Sequence, residues 1–338
     1  MKLLAVSEHY FPRVGGTVNY VHETLCALAN EGVKAELLVP GPEPKEWLPA
    51  GMAWPPYSVT WLDADYPTKG DPGREQRYDF CNQVDAYVAA AVEGPDKPDI
   101  LHVLFGIFVM EIVDIGRLRK AGIPSLATVH NVPPMECRQV THDAPLPERL
   151  KEALRLKAVA FKNRTRLKKH IYDLYVVPSQ QVETLLSPVV GDRVAVIGHG
   201  TTSDLQATMA PPHTRRTQGP VTLLTVGGYV PHKRQHLIPE AADKLRADGI
   251  DFIWHVAGPP GRVRNYRDKI AQEVTERGLD AQVVLHGAVP FADLAALYDS
   301  AHLYVQPSIE EGFCLTALDA AAAGLPVIGC RAGALPEI

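Results

Sequence analysis

Two acidic side chains near the carboxyl end, Glu311 and Asp319, stand eight residues apart in the stretch YVQPSIEEGFCLTALDAAAAGLPVIG. Ionised carboxylates only accept hydrogen bonds, so a pair of them suits a ligand rich in hydroxyls, such as a sugar. Between them lie Gly312, Phe313, Cys314 and Leu315, where a polar loop runs into an Ala- and Leu-rich helix. Backbone N–H groups at such a start, with the positive end of the helix dipole, suit an anion such as a diphosphate. Two further places invite chemistry. His130 ends the apolar run PSLATVH, and ligands of open α/β sheets sit outside the carboxyl ends of strands. A lone histidine there is more often structural than functional. The adjacent Gly15 and Gly16 let the backbone approach a ligand closely, or simply make a turn.

These residues need elements to hold them. Lys2–Ser7 reads as a buried strand, the apolar spacing of Val18, Val21, Leu25 and Leu28 as a helix ending at Asn30, and Lys34–Pro40 as the next strand. Strand, glycine loop, helix, strand is a βαβ unit, and such units build parallel sheets. Residues 41–73 are rich in Pro, Trp and Tyr without clear periodicity. Beyond them the pattern predicts a helix over 74–92, strands at 99–105 and 124–130 around a helix at 112–121, and strands at 174–179 and 194–198. The Asp204–Pro220 stretch is polar, Pro-rich and aperiodic, which marks a linker. A second alternating series follows: strands at 221–226, 252–257, 283–286 and 304–305, helices at 236–248, 266–277, 291–300 and 316–323, and a strand from 327.

The carboxyl-terminal stretch closely resembles the signature of retaining glycosyltransferases of family 4. Pro307, Ser308, Glu311, Gly312, Phe313, Leu315, Gly324, Pro326, Val327 and Ile328 match that pattern of an acid, seven intervening residues and a second acid. Asp319 stands where the family usually has Glu. The resemblance extends over 1–338. It implies an α/β fold of the GT-B type, two Rossmann-like domains facing across a cleft, divided as 1–203, a linker at 204–220, and 221–338. The family has further strands and helices after the final LPEI, so that last segment is expected to be missing.

The resemblance also implies roles. The donor, a nucleoside diphosphate sugar, lies mainly on the second domain and the acceptor on the first. Glu311 accepts hydrogen bonds from the donor sugar, and Asp319 holds ribose hydroxyls. The amides of Gly312, Phe313, Cys314 and Leu315 line sugar and phosphate. Lys233, in GGYVPHKR, matches the family lysine that neutralises the diphosphate. The companion arginine position is Gly228, with Arg234 nearby. His130 contacts the sugar, and Gly15 and Gly16 leave room beside the phosphates. The implied reaction moves a hexosyl group to an acceptor hydroxyl with the anomeric configuration retained, without metal or other cofactor. A non-catalytic binder of the same donor, or an epimerase or hydrolase on the same fold, is the alternative.

Composition bounds the partners. A chain of 338 residues with net charge −5 fits two domains of moderate size and carries no nucleic-acid signal. Five scattered cysteines form no C-x-x-C pair, which indicates neither a disulfide framework nor a zinc site. The tripeptide Asp63-Ala-Asp65 reads as coincidence and not as a metal site. MKLLAVSEHYF is too short an apolar run for a signal peptide, and a cytoplasmic location is expected. One segment qualifies that expectation: 148–172 is helical, strongly basic, and carries a second, apolar face. It suits anionic lipid headgroups at a membrane surface, or is simply a solvated helix face.

Overall fold

The computed structural model describes residues 1–13, 15–48, 53–67, 72–141, 144–202, 209, 219–261, 263 and 265–338. The chain divides into two compact units. The first comprises Met1–Val132 and Phe161–Gly198, the second Pro133–Ala160 and His199–Ile338. The predicted linker lies almost wholly outside the described residues.

The first unit is built on a parallel sheet of order β3-β2-β1-β4-β5-β6-β7. Its strands are β1 (Lys2–Ser7), β2 (Lys34–Pro40), β3 (Ser58–Leu62), β4 (Ile100–Phe105), β5 (Ser125–Thr128), β6 (Leu174–Val177) and β7 (Val194–Val196). The run LLAVS is buried residue by residue, as a central parallel strand covered on both faces must be. Helices α1 (Gly16–Asn30) and α2 (Arg74–Glu93) are the crossovers around β2 and β3. The core under α1 joins Val18, Val21 and Leu25 to Leu3, Ala5, Leu37 and Val39.

Local differences from the sequence reading have local causes. The single helix expected over 112–121 is two, α3 (Ile107–Ile112) and α4 (Ile115–Lys120). Asp114 separates them, because its carboxylate accepts from the N–H groups of Gly116 and Arg117 and so starts a new helix. Strand β3 hides in the aromatic-rich stretch as an outermost strand beside β2, with only Leu62 of its residues buried. The basic helix α5 runs Leu146–Lys169, so Tyr172 lies beyond it, fully buried. Helix α6 (Gln180–Val190) was not foreseen; Ser179 caps it by accepting from Val182 N–H.

The second unit repeats the logic with order β10-β9-β8-β11-β12, again parallel. The strands are β8 (Val221–Val226), β9 (Phe252–Ala257), β10 (Val283–Leu285), β11 (Leu303–Gln306) and β12 (Val327–Gly329). Helices α7 (Ile238–Ala247), α8 (Tyr266–Glu276), α9 (Phe291–Ser300) and α10 (Leu315–Ala322) connect them. Both sheets reverse strand order once, between β1 and β4 and between β8 and β11. Such switch points open a crevice at the carboxyl ends of the flanking strands, which is where ligands of this architecture bind.

Candidate active site

The second unit's switch point brings together most of the residues singled out from the sequence. After β8 the backbone turns through Gly227 at φ +153°. A Cβ there would meet Lys233 Cδ at 2.8 Å, so the lysine stem lies directly over this glycine. Lys233 closes a short 3-10 turn, Pro231–Lys233, and Arg234 follows in the left-handed region at φ 55°. From the neighbouring strand β11 the chain enters the loop holding Glu311. The Lys233 ammonium donates to Glu311 Oε1 at 2.8 Å, and Gln306 Nε2 donates to the same oxygen at 2.9 Å. The glutamate side chain is 4% exposed and the lysine 19%.

Electrostatics explain why both stay charged. Burial alone would raise the Glu311 carboxyl, but the ammonium beside it outweighs burial and holds it below its ordinary value. Burial likewise opposes the Lys233 charge, and Glu311 more than compensates, raising the ammonium above its usual range. The neighbouring His232 is held neutral: burial first, then the Lys233 charge, lower it to about 4. The Cys314 thiol is pushed up to about 12, chiefly by burial, so it is no nucleophile at neutral pH.

The Glu311 loop is buttressed from the end of the chain. Gly333 at φ +56° packs so closely that a Cβ would lie 2.4 Å from the Glu311 carbonyl oxygen, and Ala334 N–H donates to that oxygen at 3.0 Å. Beyond it, Cys314 enters α10 at φ 87°, and no side chain caps the helix start. Phe313 packs edge-on against His199, ring centroids 5.0 Å apart.

Asp319 sits on α10 and is 3% exposed. Its carboxylate accepts from Thr202 N–H at 2.9 Å and from the Thr202 hydroxyl at 3.3 Å. It therefore ties the 199–202 segment to the helix.

Two acceptors that sequence reasoning missed join the same loop. Glu136 Oε1 accepts the Gly312 N–H at 3.0 Å. Glu310 accepts from Glu136 N–H at 2.8 Å and from Arg138 Nε at 2.6 Å. No motif pointed to Glu136 or Arg138, because the contact joins residues more than 170 positions apart.

The remaining candidates belong to the first unit. His130 follows β5, and its Nε2–H donates to the Leu104 carbonyl at 2.9 Å, which fixes the tautomer. Its ring stands edge-on to Tyr20 of α1 at 4.8 Å. Burial lowers both His130 and His102 to about 4. His102 Nε2 and Tyr20 OH both reach Thr128 Oγ1, at 2.8 and 3.3 Å. Gly15 precedes α1 and Gly16 begins it; both are exposed, and a Cβ on Gly15 would meet nothing within 4 Å. Asp63 and Asp65 are exposed, and Asp65 accepts from Gln76 at 3.1 Å.

One further acid was overlooked. Glu8, just after β1 at this unit's switch point, is buried and accepts from Tyr66 OH at 2.6 Å, with Arg77 Nε at 3.2 Å. It lines a small open pocket with Tyr10, Arg13, Trp61 and Tyr66. A carboxylate one residue past a buried strand was the available signal.

The paired parallel sheets and the placement of Lys233 and Glu311 at a switch point define a GT-B type of protein, and comparison with known proteins agrees. Residues 14–205 match Glycosyltransferase Family 4 and residues 210–338 match Glycosyl transferases group 1. The chain belongs to glycosyltransferase family 4. Sucrose-phosphate synthase from Thermosynechococcus elongatus superposes with TM-score 0.72 at 21% identity, over 99% of this chain and 82% of that one. HepE from Anabaena, solved with UDP and glucose, gives 0.67 at 15% identity, over 100% and 82%. Among curated relatives, the MMP alpha-(1->4)-mannosyltransferase of Mycolicibacterium hassiacum is 33% identical over 118 residues, 31% of this chain and 28% of that protein. The match thus spans under a third of the length of that relative.

Proposed function

We propose that the protein transfers a hexosyl group from a nucleoside diphosphate sugar to an acceptor hydroxyl, with retention at the anomeric carbon. The observation that carries this reading is the buried Lys233–Glu311 pair beside the Gly312 amide and the uncapped start of α10. The family membership and a neighbour solved with UDP and glucose support the donor class.

In this reading Lys233 and the amides around α10 meet the negative charge that develops on the departing diphosphate. No divalent cation or other cofactor is required. Glu311 accepts hydrogen bonds from hydroxyls of the donor sugar and orients the ring. Asp319 takes the ribose, exchanging its Thr202 contacts for the sugar hydroxyls. His130, neutral at physiological pH, contacts the transferred sugar, and Gly15 and Gly16 leave room by the phosphates. The leaving phosphate oxygen takes the acceptor proton, so no side chain serves as general base. Gly228 offers no cation where the family has arginine.

Helix α5 adds a surface. Leu146, Leu150 and Leu154 repeat at i, i+4 spacing and are 65%, 58% and 68% exposed, and Phe161 of the same helix is 76% exposed. Arg149, Lys151, Lys157 and Lys162 stand around them, also exposed. Exposed leucines among basic side chains fit an anionic lipid surface, and we assign the helix to peripheral contact with one. Among the described residues no helix is long and apolar enough to cross a membrane.

The test is a panel of nucleoside diphosphate sugars screened by thermal shift, since a true ligand raises Tm by mass action. The stabilising donor is then incubated with acceptor hydroxyl compounds, and the product anomer is read by proton NMR. Transfer with the donor's anomeric configuration supports the proposal. Inverted product contradicts retention. Donor consumption that is independent of acceptor favours a hydrolase.

A further inference from the structure

The anion site around Gly312 already holds an anion, and it comes from the chain itself. Glu136 Oε1 accepts the Gly312 N–H, the amide just ahead of α10. Its carboxylate also acts on Lys233: Glu136 is among the charges that raise that ammonium. The segment carrying it is fastened at the same place. Glu136 N–H and Arg138 Nε grip the two oxygens of Glu310, next to Glu311 in sequence. Glu136 adopts φ 60°, a left-handed conformation that a residue with a Cβ takes up only when its surroundings hold it there.

The charge balance gives this contact a consequence. Among the described residues, Lys233 and Arg138 supply two positive charges here, while Glu136, Glu310 and Glu311 supply three negative ones. A diphosphate cannot join this cluster on top of Glu136, because two anions would then compete for one amide in a largely buried place. We propose that Glu136 is an internal stand-in for the donor's phosphate, and that donor binding requires its withdrawal from Gly312. Withdrawal leaves the two cations balanced against Glu310 and Glu311, with the amide open to the ligand. The contact filters ligands by charge. An anion that cannot also engage Lys233 gains too little to displace a tethered carboxylate. The affinity for a real donor is reduced by the fraction of molecules in which Glu136 is seated.

This inference rests on the reading of Lys233 and Gly312 as the donor anion site, and the experiment separates the two. Isothermal titration on the full chain compares UDP, ADP and inorganic pyrophosphate against the wild type, Glu136→Ala and Glu136→Gln. Glu136→Ala removes carboxylate and hydrogen bond and should tighten binding of at least one nucleotide about tenfold, the scale of one charged hydrogen bond. Glu136→Gln keeps an amide acceptor but loses the charge, so it should tighten less. It also serves if the alanine variant folds poorly. In hydrogen exchange, the Glu136 amide should lose protection when nucleotide binds to the wild type. Unchanged or weaker binding in both variants, with the wild type binding normally, overturns the stand-in and leaves the donor site intact. No binding to the wild type or to either variant overturns the anion site itself.

Discussion

Lys233→Met isolates the energetics of the site. The substitution keeps most of the side chain's bulk and leaves Glu311, 4% exposed, without its cation. Removing one partner of a buried ion pair costs about 3–5 kcal/mol. Gln306 still donates to Glu311 Oε1, which places the expected loss near the lower end, about 3 kcal/mol at pH 7. The sign with pH is diagnostic. In the wild type the Glu311 carboxyl lies below its ordinary 4.5, so the stability it lends is present above pH 4.5 and is lost as pH falls further. In Lys233→Met the ammonium that outweighed burial is gone, and burial, opposed only by hydrogen bonds such as those from Gln306 and Ser308, raises the carboxyl above 4.5. The variant is then penalised increasingly as pH rises from 4.5, and the gap to the wild type narrows toward pH 4. Urea unfolding followed by circular dichroism at pH 4.5, 6 and 7.5 reads this directly. Lys233→Met/Glu311→Gln should recover most of the loss, because no charge is left stranded. A single variant within 1 kcal/mol of wild type at pH 7, or a gap that does not change with pH, would refute the reasoning.

Other expectations follow from the same structure. His102 and His232 are buried and held near pH 4, so stability should fall as pH drops from 6.5 toward 4, by at most about 3 kcal/mol for each. His102→Gln, which can still bond to Thr128, should flatten that slope in a pH series of denaturation midpoints. Gly333→Ala forces a Cβ against the Glu311 backbone at a left-handed position; it should cost about 1–3 kcal/mol and weaken nucleotide binding measured by titration. Leu150→Glu/Leu154→Glu should abolish co-sedimentation with anionic vesicles and leave Tm within a degree or two, because both leucines are already exposed.

Much of the second unit could be read from residues alone. Strands β8 and β9 and helix α9 fall where apolar periodicity and their flanking turns put them, and Lys233, Glu311 and Gly312 do converge. That legibility has a physical basis. A parallel sheet puts successive loops at one edge, so a lysine after β8 and an acid after β11 become neighbours as soon as the strand order is known. The structure adds what no local pattern encodes. Glu136 meets Gly312, and Asp319 meets Thr202, through contacts between distant parts of the chain. Helix α6 escaped because Pro188 inside it reads as a helix breaker, although Val182, Leu186 and Val190 recur at i, i+4 and i+8 and Ser179 caps it. Strand β3 escaped because an outermost strand alternates only weakly. Glu8 escaped because a single acid after a strand is a weak signal without a partner at fixed spacing, and burial against Tyr66 and Arg77 is what gives it weight.

The most direct measurement is a crystal structure with the nucleoside diphosphate that the thermal-shift panel selects. The account predicts that the diphosphate lies within about 3 Å of Lys233 Nζ and of the Gly312 amide, with the Glu136 carboxylate displaced. A diphosphate bound elsewhere in the chain, with Lys233 and Gly312 still held by Glu311 and Glu136, would contradict it.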